Sequence, residues 1–257
     1  MLLATVPLAW RSVIVFVAGV AGGVANGLAG GGTFITFPTL LALGVPALSA
    51  NLTTTVGIVP SFFSGVRLAR TDTVDQSRTV AALVPSVVVG TLIGCALLLS
   101  GSPTTFENVV PYLVGGATIL FAAAPRITRA VARWKHAHHV RRLGLHLGIG
   151  VVAVYGGYFG AGVGIMLLAV TTLSLPLAIH QLQGLRNVLS IVMTAVASLV
   201  FLVHGHLALS ELWPLLGGTL LGGWLGTRLV TRLPARGVRA LVIAIGTLTT
   251  LKLLWPA

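Results

Sequence analysis

Charged residues are scarce in this sequence of 257 residues: they make up 8% of the chain, whereas hydrophobic residues make up 56%. Soluble domains carry roughly a quarter charged residues, so this chain has too few of them to cover a surface in water. The mean hydropathy of +1.01 agrees with this shortage. The composition excludes a soluble globular domain and predicts an all-α membrane protein that crosses the bilayer several times.

Cysteine and acidic side chains are also nearly absent. The single Cys95 excludes a disulfide framework and a thiolate metal site. The four acidic residues provide no pair of carboxylates inside an apolar run, and no HExxH or GxSxG element occurs. We therefore expect no enzymatic activity, no metal and no cofactor.

The net charge of +12 comes from basic residues that are grouped between apolar runs. This grouping is typical of cytoplasmic loops of membrane proteins, so it argues against nucleic acid as a partner. We interpret the HAHH run at 136–139 as part of a basic face and not as a metal site. Most of the basic residues lie in three stretches: Arg67, Arg70 and Arg78; Arg126, Arg129, Arg133, Lys135, Arg141 and Arg142; and Arg228, Arg232, Arg236 and Arg239.

Eight apolar segments form two sets of four that resemble each other. A shift of about 130 residues places Gly27, Gly30, Gly32 and Pro46 on Gly157, Gly160, Gly162 and Pro176. A similar shift places GTLIG (90–94) on GTLLG (218–222). The sequence therefore predicts an internal repeat: a first transmembrane repeat over 1–124, a basic cytoplasmic connector over 125–142 and a second transmembrane repeat over 143–257.

The basic loops also predict how the halves are oriented. The segments 100–106 and 204–210 carry no Lys or Arg and should lie outside, so the chain must cross an odd number of times between 142 and 204. Two apolar segments lie there, so one of them must turn back. We predict two inverted-topology repeats, each with a glycine-broken helical hairpin followed by three transmembrane helices, and both termini outside. The alternative is that the glycines only permit close helix packing.

The predicted hairpins run over 12–44 and 144–175 and break at GLAGGGT (27–33) and GGYFGAGVG (156–164). Broken backbone inside a membrane must be buried in protein or line a wet cavity. A helix that restarts at Thr33, with Thr33 as its cap, and another that restarts near Gly164 would both present free N–H groups, which attract an anion.

Arg186 lies well inside an apolar segment, where burial of its charge costs about 3 kcal/mol. No acidic residue of a membrane span can pair with it, so an anionic substrate or helix-end carbonyls are its expected partners. The alternative is that it reaches the cytoplasmic headgroups. Together with polar residues after each hairpin, the candidate substrate-binding residues are Gly30, Gly31, Gly32, Thr33, Asn51, Thr54, Gly160, Gly162, Gly164, Gln183, Arg186 and Asn187.

Three stretches resemble the TauE/SafE family of sulfite and organosulfonate exporters: GLAGGGTFITFPTLLALGVPALSANLTTT, GLRNVLSIVMTAVASLVFLVHGHL and LLGGTLLGGWLGTRLVTRLP. The resemblance implies a secondary transporter in the bacterial inner membrane that exports small sulfur-containing anions, sulfite or organosulfonates such as sulfoacetate, by alternating access. The expected partners are a small anion and membrane lipids. The sequence does not decide whether the chain forms a homo-oligomer. The alternative is a structural or assembly subunit of a membrane complex.

Overall fold

The computed structural model describes residues 7–62, 77–134, 142–229 and 235–255, and the regular secondary structure in these ranges is helical. The helices are α1 (Leu8–Ala29), α2 (Thr33–Ala42), α3 (Ala47–Gly57), α4 (Ser77–Ser100), α5 (Pro103–Trp134), α6 (Arg142–Tyr158), α7 (Val163–Ser174), α8 (Ile179–His204), α9 (Leu209–Leu229) and α10 (Ala235–Leu254). Five of these described helices are long and apolar enough to cross a membrane: α1, α4, α5, α8 and α10. The histidines of the HAHH run lie outside the described residues.

The first hairpin breaks where the sequence predicts. α1 ends at Ala29 and is capped by Gly30, whose φ of 70° is left-handed and whose N–H donates to carbonyls of the last turn. Glycine is the residue that adopts this conformation without strain. A Cβ on Gly22 would lie 2.6 Å from Cγ2 of Thr36, so α2 returns alongside α1. Residues 30–32 therefore reverse the chain.

The second hairpin breaks at residues 159–162, between α6 and α7. Gly160 and Gly162 adopt φ values of 81° and 78°. The hydroxyl of Tyr155 donates to the carbonyl of Ala161 at 2.8 Å and braces the turn. A Cβ on Gly148 would lie 2.9 Å from Cγ1 of Val170, so α7 also returns along its partner.

The segment after the first hairpin is not one continuous helix, although the predicted repeat has a transmembrane helix there. α3 ends at Gly57 and is followed by a turn at residues 58–59 and a helical turn at 60–62. Pro60 explains the interruption, because proline lacks an N–H and disfavours helical backbone at the residue before it. In contrast, α5 continues to Trp134, well into the stretch that we assigned to the connector.

The two hairpins each pack on a helix from the other half of the chain: α1 lies along α9, and α6 lies along α4. Glycines permit both contacts. A Cβ on Gly90 would lie 2.5 Å from the carbonyl oxygen of Gly150 in α6. Gly222 of α9 faces the carbonyl of Val20 in α1 in the same manner. Gly90 and Gly222 therefore occupy equivalent positions in the two contacts. The sequence alignment of the two halves pairs Gly90 with Gly218 instead, one helical turn earlier.

The described helices can be grouped around the two hairpins. The first bundle contains α1, α2, α3, α9 and α10, and the second contains α4, α5, α6, α7 and α8. The bundles share a broad boundary, where α5 packs on α10 and on α3 and where α3 packs on α8. Each bundle therefore combines helices from both halves of the sequence, and the two hairpin breaks face the boundary between the bundles.

Candidate binding site between the two broken helices

A cavity of about 290 Å³ lies between the two hairpin breaks. Gly30 and Thr33 line it from the first break, and Gly160 and Gly164 line it from the second. The cavity therefore joins the two places where the backbone leaves the helical conformation, as expected for irregular backbone inside a membrane.

One face of α8 supplies most of the polar side chains of the cavity. Gln183, Asn187, Ser190 and Thr194 follow one another at intervals of three or four residues, so they form a row along the helix. His180 and Gln183 are exposed at the start of α8. The cavity is therefore accessible from the end of the bundle where α8 begins.

Arg186 places its guanidinium group in this cavity and against α7. A Cβ on Gly164 would lie 3.6 Å from Cδ and 3.7 Å from Nη1 of Arg186. No acidic side chain is among the described residues that line the cavity, and Arg186 is their one Arg or Lys. The cavity therefore carries positive charge with no fixed counter-charge.

Both restarted helices begin without a side-chain cap. Gly162 occupies the N-cap position of α7, and Gly32 occupies that of α2. The expectation that Thr33 caps α2 is wrong, because Thr33 is the first residue of the helix itself. Uncapped N-termini present N–H groups and the positive end of the helix dipole. At α7 this end lies beside Arg186, which makes the second break the more positive of the two.

Seven of the twelve candidate residues line the cavity: Gly30, Thr33, Gly160, Gly164, Gln183, Arg186 and Asn187. The other glycines face protein. A Cβ on Gly31 would lie 3.0 Å from the ring of Phe121, and one on Gly32 would lie 2.5 Å from the carbonyl oxygen of Gly22. Gly162 faces Ala117. Gly31 and Gly32 therefore permit close packing at the first break, whereas Gly162 provides the left-handed backbone of the second.

Asn51 and Thr54 are buried in α3 and do not line the cavity. The amide of Asn51 donates to the carbonyl of Tyr158 at 3.0 Å and ties α3 to the end of α6. Oδ1 of Asn51 and Oγ1 of Thr54 have no hydrogen-bond partner within the described part of the chain. The structure therefore separates these two residues from the group around Arg186.

Six polar lining residues were not among the candidates: Asn26, Thr55, Ser61, His180, Ser190 and Thr194. Asn26 donates to the hydroxyl of Ser61 at 2.8 Å. Helical spacing from Asn187 would have found Ser190 and Thr194. Asn26 lies one helical turn before the first break, so its position beside the predicted break could have identified it as a lining residue.

Aromatic rings border the cavity at Phe159. This ring packs edge-on against Phe37, with centroids 5.5 Å apart, and also contacts Tyr155 and Phe106. Phe106 lies in the first turn of α5 and is the last residue of the segment 100–106, which should lie outside. The rings therefore lie between the cavity and this end of the bundle.

These features define a polytopic helical membrane protein with a polar, positively charged cavity between two broken helices. The family model described as "Sulfite exporter TauE/SafE" matches residues 15–253. The chain therefore belongs to the TauE/SafE family, as its resemblance predicts, and is an integral membrane protein.

Two curated relatives are similar to this chain over almost its whole length. A "Probable membrane transporter protein" of Haemophilus influenzae is 24% identical over 94% of this chain and 94% of its own. The "Probable membrane transporter protein YfcA" of Escherichia coli K12 is 25% identical over 95% of this chain and 89% of its own. No solved structure matches the chain. The protein is therefore a member of a family of membrane transporters.

Proposed function

We propose that the protein is a secondary transporter of the bacterial inner membrane that exports small sulfur-containing anions, sulfite or organosulfonates such as sulfoacetate, by alternating access. The observation that carries this proposal is the position of Arg186 against the uncapped start of α7, in a cavity whose described lining has no carboxylate. A guanidinium and a helix N-terminus together favour a negative ligand. The family description supports a sulfur oxyanion as that ligand.

The remaining cavity side chains suit a small polar ligand. Gln183, Ser190 and Thr194 are neutral and can both donate and accept hydrogen bonds. An oxyanion presents several acceptor oxygens. Arg186 would neutralise its negative charge, and the three neutral side chains would donate hydrogen bonds to the remaining oxygens. A cavity of about 290 Å³ is large enough for sulfite and for a short organosulfonate.

The two bundles support alternating access. The cavity lies where the bundles meet, it is accessible where α8 begins, and Phe159 and its aromatic neighbours border it toward Phe106. Under the proposed topology the accessible end is cytoplasmic. A rocking of one bundle against the other would part the aromatic rings and expose the same cavity to the outside.

The packing pairs support inverted repeats. Under exchange of the halves, the contact of α1 with α9 corresponds to that of α6 with α4, and α2 with α10 corresponds to α7 with α5. The glycine contacts of Gly222 and Gly90 correspond in the same way. Such paired contacts are expected when two copies of one unit assemble around a two-fold axis in the membrane plane.

The membrane potential favours the outward direction. One negative charge that leaves an inside-negative cell gains about 2.3 kcal/mol per 100 mV, so export of an anion needs no coupling ion. Uptake of the same anion would need one. The cavity's described lining holds no carboxylate to relay a proton, and this supports export.

Efflux from proteoliposomes tests the proposal. Vesicles that contain the purified protein and labelled sulfite or sulfoacetate should lose the anion in a saturable way. The loss should accelerate when the interior is made negative. Matched vesicles with Arg186→Gln control for leakage. Efflux equal to that of protein-free vesicles, for every anion tried, would reject the transporter and leave the structural subunit.

A further inference from the structure

Asn187 accepts two hydrogen bonds from the guanidinium group of Arg186. Its Oδ1 accepts a hydrogen bond from Nε at 3.2 Å and another from Nη2 at 2.7 Å. One neutral oxygen therefore fixes one edge of the guanidinium plane. The remaining nitrogen, Nη1, is the one that lies near Gly164 at the start of α7.

We propose that Asn187 is a positioning residue that holds Arg186 for the anion while leaving its positive charge uncancelled. This inference rests on the proposed anion transport and adds the role of one residue to it. In this arrangement Asn187 acts through Arg186, and the anion bonds to the free edge of the guanidinium and to the start of α7.

An aspartate at position 187 would be the alternative partner for Arg186. A carboxylate at this position would have the same shape as the amide and would hold the guanidinium with two charge-assisted hydrogen bonds. If the role were only to fix Arg186, aspartate would be the better residue. It would also neutralise the one Arg among the described residues of the cavity, and an anion would then meet no net charge. The amide of Asn187 orients the guanidinium and, because it has no charge, leaves the positive charge of Arg186 available to the anion.

The surroundings agree with this interpretation. Arg186 donates to Asn187 in part-buried surroundings, where an ion pair is screened less than in water. The ion pair that the described chain does contain, between Arg11 and Glu211 at 2.8 Å, joins α1 to α9 and includes no cavity residue. Arg11 thus has a carboxylate as its partner, whereas Arg186 in the cavity has a neutral amide.

Binding of sulfite and of sulfoacetate to the purified full-length protein in detergent tests the inference, with calorimetry as the readout. Asn187→Ala keeps the charge of Arg186 but frees its side chain, so we expect affinity to fall about 3- to 10-fold. Asn187→Asp keeps the hydrogen bonds but cancels the charge, so we expect a loss of about 100-fold or more. A residue with a structural role alone would give the opposite order, because aspartate is the stronger partner.

A double-mutant cycle keeps the test decisive if Asn187→Asp does not fold. In the Arg186→Gln background, Asn187→Ala should change affinity less than 2-fold, because its effect passes through the missing guanidinium. A full additional loss there would overturn the inference, and so would an Asn187→Asp protein that binds as well as Asn187→Ala. If the wild type bound no anion at all, the proposed function would fail first, so the two failures are distinguishable.

Discussion

The two hairpin breaks share a backbone plan but differ in charge. Both reverse the chain at glycines and both restart an uncapped helix at the cavity. The second break has Arg186 against its new helix, with Asn187 holding the guanidinium. The first break has Thr33 and no basic side chain at the cavity.

Similar halves can therefore take different roles around one cavity. In the first break, Gly31 packs on Phe121 and Gly32 packs on Gly22 and Ile58, so these two glycines are tightly packed. In the second break, Gly164 is in ordinary contact with the guanidinium of Arg186. We infer that the second break binds the anion and that the first forms the opposite wall.

The largest effect is expected at Gly32. Its Cβ would lie 2.5 Å from both the carbonyl oxygen of Gly22 and Cδ1 of Ile58, and backbone cannot move aside cheaply. Gly32→Leu should therefore reduce the yield and the melting temperature of the protein in detergent. Gly116→Leu is the matched control, because nothing lies within 4 Å of its Cβ position. Equal melting temperatures in the two variants would show that the first break is not tightly packed.

Arg186→Gln should weaken binding of a transported anion by about 10- to 150-fold, which corresponds to about 1.5 to 3 kcal/mol for a hydrogen bond to a charged group. Arg186→Lys should recover part of this loss, since a point charge lacks the planar fork. Binding constants from calorimetry measure both. If lysine substitutes fully, the residue serves the membrane interface and not the cavity.

A smaller effect is expected from Gly164→Val. The added methyl groups would push on Cδ and Nη1 of Arg186, which Cβ would already approach to 3.6 and 3.7 Å. We expect affinity to fall about 10-fold through displacement of the guanidinium, with little change in melting temperature. Thr33→Val in the first break is the matched control and should change affinity less than 3-fold. Equal losses in the two variants would remove the contrast between the breaks.

The smallest effect on function is expected from Gly30→Ala. Gly30 has left-handed backbone, with φ of 70°, and its Cβ position is open. Alanine there should cost about 1 to 2 kcal/mol of conformational strain and leave the cavity unchanged. Chemical denaturation should detect the loss of stability while anion affinity stays the same. An altered affinity would mean that the first break also shapes the binding site.

Much of this arrangement could be predicted from local sequence. The breaks at Gly30 and Gly160 follow from runs of glycine inside apolar segments, and the position of Arg186 follows from its isolation from acidic residues. Neighbouring glycines could not be separated into those that turn the chain and those that permit packing. That distinction depends on rings such as Phe121, which the fold brings from far along the sequence.

The interruption of α3 and the burial of Asn51 could not be predicted for a similar reason. Pro60 was a local signal for a break, but a long apolar run outweighed it. Asn51 is polar and follows the first hairpin, as a ligand contact would. Its amide instead bonds the carbonyl of Tyr158, a contact that becomes visible once the second hairpin is placed beside α3.

Protection of a thiol at the second break tests whether the anion binds beside Arg186. On a Cys95→Ala background, Gly164→Cys would place a thiol beside the guanidinium of Arg186, while Cys95 itself is buried. A bound anion should shield this thiol from a soluble alkylating reagent. We expect sulfoacetate to slow labelling in a saturable way and Arg186→Gln to abolish the protection. Labelling at the same rate with and without the anion, in a variant that still transports it, would show that the second break does not bind the anion.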